Sequence, residues 1–321
     1  MNLSDYKKEF LTYLNKEIQI KEPKNLYEPI HYILQIGGKR LRPILTLVSA
    51  HFFNGDYKKA LPAALAIEVF HNFTLVHDDI MDEAPIRRGK TTVHKKWNLN
   101  TGILSGDAMM LHTNQLMEAY DDEFKELMVL FNKTALEVCE GQQYDVDFET
   151  RTDVTINEYI KMITYKTAVL VACSLKMGAI IAGANKVDAN SIYYYGLNLG
   201  IAFQLQDDYL DTFGDQATFG KLIGGDILEN KKTFLYLKLL KVISEDDKKI
   251  LLNYFSTTEK SDKKINTVTL LYSKYKIPAL VKEEITYYTK RSYKNLGDSS
   301  ITEDGKLFFT KLGDELLNRT V

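Results

Sequence analysis

Two aspartate-rich segments carry the clearest chemistry in this 321-residue sequence: DDIMD at 78–82 and DDYLD at 207–211. In each segment the first and last aspartates are four residues apart, so on a helix they lie on one face, about 6 Å apart. Such carboxylates repel one another, and near a helix C-terminus they also face the negative end of the macrodipole. A magnesium ion would compensate them, because it binds one or two carboxylates and takes its other ligands from water and phosphate oxygens.

The first segment ends a helix that begins near Leu61 and that Pro85 stops at or just before Ala84. In the second, the amide of Gln204 precedes the aspartates by one turn and shares their face. A single acid-rich helix end has about even odds of binding a metal ion or of being simply exposed to solvent. Two copies on otherwise apolar helices predict that the segments face each other across one pocket and hold magnesium on a diphosphate.

Basic residues supply the complementary half of such a site. GGKRLRP at 37–43 places Lys39, Arg40 and Arg42 just before Pro43, where a helix would begin. A helix N-terminus with three cations predicts an anion site, although alone the pattern also fits a basic surface turn. Arg87 and Arg88, directly after the first acidic helix, are suited to bind phosphate oxygens in pairs.

Two further positions fit the same chemistry. His71 lies seven residues, about two turns, before Asp78 and therefore points to the same face of the helix. This position favours a histidine that contacts a ligand over one that is buried in the core with its hydrogen bonds made inside the protein. Lys166 and Thr167 interrupt an otherwise apolar helix. Because a lysine is almost never buried without a partner, Lys166 could belong to the site. The alternative is that its amine simply reaches the solvent.

Composition excludes several other functions. The net charge of −2 and the pI near 6.3 give no basic surface for nucleic acid or for an anionic membrane. Cys139 and Cys173 have no metal-ligand spacing and are interpreted as small core residues of a protein from a reducing compartment. MNLSDYKKEF resembles neither a signal nor an anchor, and the apolar stretch 167–184 is interpreted as a buried helix, so we expect a cytoplasmic protein that does not span a membrane.

Helical spacing of apolar residues dominates the sequence, and strand-like alternation is hard to find, so we predict an all-α fold. No linker composition interrupts the chain, which favours a single domain over 1–321. The residues after Val242 are interpreted as solvated outer helices, and the loops 83–100 and 213–225, which follow the two aspartate segments, as lids. The predicted helices are 4–20, 25–36, 41–53, 60–82, 103–120, 123–148, 156–184, 189–212, 226–241, 246–256 and 263–293.

The strings GGKRLRP, HNFTLVHDDIMDEAPIRRG, GDAMM, GQQYD, YKTA, FQLQDDYLD and GKLIGGDILENKKT together resemble the trans-isoprenyl diphosphate synthases, or polyprenyl synthetases, over about 37–233. The resemblance implies an antiparallel helical barrel around a deep central cavity, usually in a homodimer. It also implies an enzyme that joins an allylic diphosphate to isopentenyl diphosphate. The chain departs from the family at Thr91, where a proline is usual, and at its neutral C-terminal tail.

The resemblance implies a role for each matching residue. Asp78, Asp82 and Asp207 would ligate three magnesium ions, with Asp79, Asp208 and Asp211 as further ligands or as groups behind them. Isopentenyl diphosphate would be held by Lys39, Arg42, His71 and Arg88. The allylic diphosphate would be held by Arg87, Lys166, Thr167, Gln204, Lys221 and Lys231.

Product length depends on the helix before the first aspartate segment. Helix geometry places Phe73 about 7.5 Å below Asp78 but some 140° away from it, and aligns Thr74 better, so spacing alone does not identify the floor of the pocket. In the family, an aromatic residue at the Phe73 position accompanies short products, and the first motif resembles that of geranylgeranyl diphosphate synthases. Phe70 and Phe73 could instead be ordinary core residues.

Several alternatives remain beside geranylgeranyl diphosphate synthesis. The second choice is a farnesyl diphosphate synthase, followed by a longer-chain polyprenyl synthase. A terpene cyclase would share the first motif but replace the second, and DDYLD argues against it. A non-catalytic partner subunit would be marked by loss of an aspartate motif, and both motifs are intact.

Overall fold

The computed structural model describes residues 2–215 and 223–317, and helices account for nearly all of its regular structure. The all-α prediction is therefore confirmed. The elements, in chain order, are α1 Leu3–Glu17, α2 Lys24–Gln35, α3 Leu41–Phe52, a 3-10 turn Tyr57–Ala60, α4 Leu61–Met81, β1 Ile86–Arg87, β2 Lys90–Thr91, α5 Val93–Lys96, α6 Leu99–Met117, α7 Phe124–Thr150, α8 Ile156–Ile163, a π-helical turn Thr164–Ala168, α9 Val169–Ile181, α10 Lys186–Phe213, α11 Gly225–Leu228, α12 Phe234–Val242, α13 Glu245–Phe255, α14 Asp262–Lys274, α15 Ile277–Gly297 and α16 Glu303–Leu317.

The described chain forms two compact units, each discontinuous in sequence. The first contains 1–132 and 173–190, and the second contains 133–172 and 191–321. Because α7, α9 and α10 each contribute to both units, neither unit matches a contiguous stretch of chain. The expectation of a single domain over 1–321 stays a prediction.

The core of the first unit is built on α4, where every residue from Ala63 to Phe70 is buried. Helix α3 is also buried along its length and approaches α9 closely. A Cβ at Gly178 would lie 2.2 Å from the carbonyl oxygen of Thr46, so only glycine permits this approach. The Ser49 hydroxyl adds a hydrogen bond of 2.7 Å to the carbonyl of Leu175. This packing fixes the helix that ends in the first aspartate segment.

The core of the second unit includes helices from the C-terminal third of the chain. Phe234, Val268, Tyr272 and Val281 are buried in it. The interpretation of the residues after Val242 as solvated outer helices is therefore wrong for one face of each of these helices. Their amphipathic spacing was recognised, but the extent of the core that their apolar faces complete was not.

Several predicted boundaries differ from the observed ones. The predicted helix 226–241 is two helices separated at Asn230, and 263–293 is two helices separated at Lys276; both residues have φ of +57°. Pro278, in the first turn of α15, marks that second break, since proline favours the start of a helix. The loop 83–100 contains a short antiparallel hairpin, in which Arg87 pairs with Lys90, and the start of α6.

One described segment, Ile156–Ile181, is long and apolar enough to cross a membrane, but 67% of its most apolar window is buried inside the protein. Burial of this kind is typical of a core helix and agrees with the interpretation of the apolar stretch as buried. Of the two cysteines, Cys173 is buried as expected, whereas Cys139 is exposed, so its assignment to the core is wrong.

Candidate active site

The first aspartate segment lies where α4 ends. The helix stops at Met81, Asp82 caps it with a backbone hydrogen bond of 2.9 Å to the carbonyl of Asp78, and Glu83 turns the chain with φ of +50°. All three aspartates therefore occupy the last turn and its cap, as predicted. The chain leaves the helix slightly earlier than Pro85 alone requires.

The three aspartates differ in exposure. The side chain of Asp78 is 22% exposed and Asp82 is exposed, whereas Asp79 is buried. Arg87 donates from Nε to Asp79 Oδ1 at 2.7 Å and lies 3.4 Å from Asp78 Oδ2. Burial raises the pKa of Asp79, although Arg87 acts in the opposite direction. A cation of the protein thus already offsets part of the repulsion between these acids.

The glycine-rich turn before α3 accommodates Arg88. Gly37 and Gly38 have φ of +95° and +138°, and the Arg88 guanidinium donates to the carbonyl of Gly37. A Cβ at Gly38 would lie 2.7 Å from Arg88 Nη1, so a side chain there would displace the guanidinium. The ammonium of Lys7 also donates to the carbonyl of Gly38, at 3.3 Å, which adds a cation that the motifs did not identify.

Arg40 is not available as an anion ligand, contrary to its grouping with Lys39 and Arg42. It is 5% exposed, forms an ion pair with the buried Glu68 and donates to the carbonyl of Leu34. Asn72 Nδ2 also donates to Glu68, at 3.0 Å. Arg40 adopts φ of +55° directly before α3, so this buried pair holds the turn in place instead of binding an anion. Its signal in the sequence would have been Glu68, an isolated acid on an apolar helix.

Arg42 and His71 lie together, with Arg42 Nη1 3.5 Å from His71 Nε2. Burial, reinforced by Arg42, Arg88, Arg87 and Arg40, holds the pKa of His71 well below its usual value, so the imidazole is neutral at pH 7. Arg42 Nε is buried and has no hydrogen-bond partner. The proximity of Arg42 and His71 agrees with the grouping that the family resemblance implies, and Lys39 is exposed in the adjoining turn.

Aromatic rings pack against one another just before the first aspartate segment. Phe73 lies 5.6 Å from Phe70 and 4.8 Å from His77, measured between ring centroids. Phe70 is fully buried and also packs against Phe131, which makes it a core residue, whereas Phe73 is only partly buried. The hydroxyl of Thr74 donates to the carbonyl of His71 in its own helix, at 2.8 Å.

In the second unit, α10 carries the second aspartate segment, again with unequal exposure. Asp207 is partly exposed and Asp208 is buried. Asp208 accepts hydrogen bonds from the Tyr159 hydroxyl and, at 3.2 Å, from Gln204 Nε2. Burial and the nearby carboxylate of Asp226 raise the pKa of Asp208 to about 8. Tyr159 was not identified from the sequence, because nothing in its local pattern distinguishes it from a core tyrosine.

Asp211 is also buried, at 9% exposure, and organises the chain that follows. Its Oδ2 accepts the backbone N–H of Asp226 at 3.0 Å, at the start of α11. Lys231, just beyond this short helix, is half exposed and lies 3.5 Å from Asp226 and 3.3 Å from Glu229. Lys221 lies outside the described residues.

Lys166 and Thr167 lie in the π-helical turn that separates α8 from α9. The backbone N–H of Val169 donates to the carbonyl of Thr164, five residues earlier. Lys166 Nζ lies 2.5 Å from Asp145 Oδ2, and the hydroxyl of Thr167 donates to Gln204 Oε1 at 3.4 Å. The predicted continuous helix 156–184 is therefore divided by a wider turn, at the point where Lys166 and Thr167 interrupt the apolar pattern. Asp145 belongs to the GQQYD string, and its pairing with Lys166 was missed.

The donors present fit magnesium. No three His, Cys, Asp or Glu side chains converge as a ready-made metal site in the part of the chain that is described. Instead, each segment offers one or two accessible carboxylates, and Oδ2 of the buried Asp79 has no hydrogen-bond partner. Magnesium suits such a set, because it keeps several waters and completes its octahedron with phosphate oxygens.

Each unit thus combines carboxylates that could hold a metal ion with groups that could bind an anion. In the first unit, Arg42, His71 and Arg88 are grouped by their contacts and mutual electrostatics. In the second, Thr167 and Gln204 contact each other beside the buried Asp208. Such an arrangement can bind a diphosphate through cations and hydrogen-bond donors, with metal ions bridging to the carboxylates.

Comparisons with known proteins agree with the sequence motifs. The family model described as polyprenyl synthetase matches residues 23–271. A curated protein from Sulfolobus acidocaldarius, named geranylgeranyl diphosphate synthase, is 40% identical over 280 residues, which cover 85% of this chain and 83% of that protein.

Solved structures of similar proteins share the fold. A crystal structure of a geranylgeranyl pyrophosphate synthase has a TM-score of 0.95 and 50% identity, with 99% of both chains covered. A second, from Corynebacterium glutamicum, is described as a geranylgeranyl pyrophosphate synthase complexed with isoprenyl diphosphate and magnesium. It has a TM-score of 0.85 and 25% identity, with 99% of this chain and 97% of that chain covered. The resemblance inferred from the motifs is confirmed, and the chain belongs to the polyprenyl synthetase family.

Proposed function

We propose that this chain is a prenyltransferase that condenses isopentenyl diphosphate with an allylic diphosphate, and that its main product is geranylgeranyl diphosphate. The observation that carries the proposal is the convergence, in the first unit, of accessible aspartates at the end of α4 with the basic cluster of Arg42, His71 and Arg88. The names of the relatives with the same fold support the choice of substrates and product.

Isopentenyl diphosphate is assigned to Lys39, Arg42, His71 and Arg88. The unpartnered Nε of Arg42 is a buried donor that a phosphate oxygen could satisfy. His71 is neutral, so it contributes a hydrogen bond and no further charge to a cluster that already contains several arginines. Gly38 supports this assignment because it leaves room for the guanidinium of Arg88.

The allylic diphosphate is assigned to Arg87, Lys166, Thr167, Gln204, Lys221 and Lys231. The ion pairs that Arg87 and Lys166 form with Asp79 and Asp145 support this role, because they hold both cations in defined positions.

Three magnesium ions are assigned to Asp78, Asp82 and Asp207. The exposure pattern supports this set, since these aspartates are at least partly accessible, whereas Asp79, Asp208 and Asp211 are buried. We assign the buried three to positions behind the ligands or to further ligation. When bound, magnesium would neutralise the charge that develops on the departing diphosphate, and one solved relative is described as complexed with isoprenyl diphosphate and magnesium.

The chain's own residues orient the two substrates. Arg87 and Lys166 stabilise the diphosphate as the allylic carbon–oxygen bond breaks and leaves its electron pair on oxygen. The basic cluster holds the isopentenyl double bond close enough to form the new carbon–carbon bond with the allylic carbon. Loss of a proton to the released diphosphate then regenerates a double bond, so no side chain of the protein is required as a nucleophile.

Product length is assigned to Phe73, with Thr74 and Phe70 as neighbours. Partial burial of Phe73 and its tilted and edge-to-face contacts with Phe70 and His77 support a fixed ring that could limit chain growth. Phe73→Ala should release longer products than the wild type, as measured by chromatography of the dephosphorylated alcohols. Phe124→Ala, at a ring that is 39% exposed, is the control. An unchanged distribution in Phe73→Ala would contradict the assignment.

The reaction itself is tested by incubating the purified protein with magnesium, isopentenyl diphosphate and each allylic primer, and then sizing the product. A C20 product supports geranylgeranyl diphosphate synthesis, and a C15 product would instead identify a farnesyl diphosphate synthase. Longer products would identify a long-chain synthase. The absence of product with every primer would favour the non-catalytic partner subunit and overturn the proposal.

We also propose that the chain works as a cytoplasmic homodimer. Helix α6 carries four exposed apolar side chains, Leu99, Ile103, Leu104 and Leu111, and a second copy could cover them. Light scattering coupled to size-exclusion chromatography would give the mass in solution. Leu104→Asp combined with Leu111→Asp should produce a monomer, and a wild-type monomer would contradict the assignment.

A further inference from the structure

Gly141 allows α7 to contact the π-helical turn that carries Lys166. A Cβ built at Gly141 would lie 2.2 Å from the backbone nitrogen of Lys166 and 2.7 Å from the carbonyl carbon of Tyr165. Both contacts are with backbone atoms, which cannot move aside as the end of a flexible side chain can. A side chain at position 141 would therefore push the turn away from α7.

Gly200 has the same relation to the other end of the turn. It lies on α10, and a Cβ there would be 2.8 Å from both the Cα and the Cβ of Ala168. The π-helical turn, Thr164–Ala168, is thus in contact with two helices of the second unit, and each contact requires a glycine.

Each of these helices also presents a polar side chain one turn after its glycine. Asp145, four residues after Gly141, pairs with Lys166 at 2.5 Å. Gln204, four residues after Gly200, accepts the hydroxyl of Thr167 at 3.4 Å. Residues four apart share a helix face. On each helix, one face therefore admits the backbone of the turn and also holds a side chain from it.

We propose that Gly141 and Gly200 are positioning residues, which set the π-helical turn so that Lys166 and Thr167 bind the allylic diphosphate. The proposal rests on the proposed function and deepens it. Lys166 and Thr167 are consecutive, and consecutive side chains on a helix point about 100° apart. The wide turn, held from both sides, fixes the directions of both side chains at once. Single-turn π-helices of this kind occur frequently at functional sites.

The competing explanation is that the glycines only permit three helices to pack. In that case Gly141→Ala would lower stability without discriminating between the two substrates. A positioning role instead predicts a selective effect, because the residues assigned to isopentenyl diphosphate all lie in the first unit, whereas the turn lies in the second.

The test is Gly141→Ala in the full chain. We expect the KM for the allylic diphosphate to rise by about tenfold or more, and the KM for isopentenyl diphosphate to change by less than about twofold, since small misplacements of binding groups are costly. Gly297→Ala is the matched control, because a Cβ at Gly297 has nothing within 4 Å. Equal changes in both KM values, or a loss of melting temperature alone, would overturn the proposal.

A second pair of variants covers the case in which Gly141→Ala does not fold. Gly200→Ala should weaken the same substrate, and adding Ala168→Gly should restore part of its affinity, because one of the two contacting atoms is then removed. Failure of Ala168→Gly to restore any affinity would contradict the positioning role of Gly200.

A binding measurement separates this inference from the proposed function. Titration calorimetry with dimethylallyl thiodiphosphate and magnesium compares Gly141→Ala with the wild type without requiring turnover. If the wild type forms no prenyl product, the proposed function fails. The positioning role is still supported if the variant binds the analogue about tenfold more weakly. Equal affinities, or no binding by either protein, overturn it.

Discussion

The two aspartate segments have the same spacing but are balanced in different ways. The first lies among arginines: Arg87 contacts Asp79 and Asp78, and the basic cluster is on the same unit. In the second, Asp208 accepts hydrogen bonds from Tyr159 and Gln204, and Asp211 accepts one from a backbone N–H, so these particular donors are neutral. The spacing determines where the carboxylates lie, and the groups around them determine how readily each carboxylate is protonated.

The difference affects protonation. Burial raises the pKa of both Asp79 and Asp208, but Arg87 opposes the rise at Asp79. At Asp208 the main electrostatic neighbour is another carboxylate, Asp226, which adds to the rise. In the first segment, Arg87 therefore limits the rise in the pKa of Asp79. The second contains one carboxyl group whose charge depends more on what binds beside it.

The largest expected effect is common to both regions. Asp78→Ala and Asp207→Ala should each lower kcat by about 10³-fold or more, because each removes a residue assigned to bind a metal ion that stabilises charge in the transition state. Steady-state assays at saturating magnesium measure the loss, and circular dichroism checks the fold. Asp246→Ala, at a side chain that is 95% exposed, is the control.

A clear difference in kcat between the two variants would show that the two aspartate segments do not contribute equally to catalysis. Near-normal turnover in Asp207→Ala would remove the second segment from the metal site. Near-normal turnover in Asp78→Ala would remove the first. Either result would contradict the assignment of magnesium to both.

The next effect concerns only the first region, where charges are paired inside the protein. Glu68→Gln should lower the free energy of unfolding by about 3 kcal/mol, because it leaves Arg40 buried without a charged partner. Urea denaturation measures the change. Asp153→Asn, in an exposed pair with Arg151, is the control and should leave the midpoint unchanged. A Glu68→Gln midpoint equal to that of the wild type would show that the pair does not stabilise the turn.

The helices were predictable because apolar periodicity reports burial directly. Pro85 predicts the end of α4 within a few residues, whereas the π-helical turn at Lys166 lies inside a segment that the sequence predicts to be one continuous helix. The break at Asn230 has no signal in the apolar periodicity, because a positive φ there does not interrupt the pattern. The break at Lys276 does have a local signal, Pro278, which the predicted helix 263–293 does not take into account.

The site was predictable where spacing alone determines proximity. The spacing predicts that Asp78, Asp79 and Asp82 lie in the last turn of α4 and its cap, and they do. The grouping of His71 with Arg42 follows instead from the family resemblance, and the two side chains lie 3.5 Å apart. Pairings between distant segments were not accessible. Glu68 neutralises Arg40 from another helix, and Tyr159 reaches Asp208 across 49 residues. For that reason Arg40 was wrongly counted as an anion ligand.

The pH dependence of the free energy of unfolding tests a property of the first region, the low pKa of His71. The pKa of His71 is well below its usual value, so below about pH 6.5 the unfolded chain binds a proton that the folded protein does not. The free energy of unfolding should therefore fall as pH falls below about 6.5, by at most about 1.4 kcal/mol per pH unit from this group. Denaturation of wild type and His71→Gln at pH 7.5, 6.5 and 5.5 measures it.

The four arginines that lower this pKa, Arg42, Arg88, Arg87 and Arg40, stay charged over the whole range. His71→Gln should therefore flatten the slope without introducing a new titration. His112→Gln, on α6 beside Gln115, is the control and should keep the slope of the wild type. Identical slopes in wild type and His71→Gln would show that His71 is protonated as readily as in the unfolded chain.

The smallest expected effect belongs to the second region, where Asp208 accepts hydrogen bonds from the neutral donors Tyr159 and Gln204. Tyr159→Phe removes the hydroxyl that donates to Asp208 while keeping the buried ring, so the free energy of unfolding should fall by about 1 kcal/mol. The lost bond favours the ionised carboxylate, so the pKa of Asp208 should rise further. Tyr287→Phe, at a hydroxyl that accepts from the exposed Arg291, is the control. A loss in Tyr159→Phe as large as that in Glu68→Gln would mean that the second segment depends on its buried bonds as strongly as the first depends on its ion pairs. The two regions would then differ in the type of interaction but not in the free energy of unfolding that it contributes.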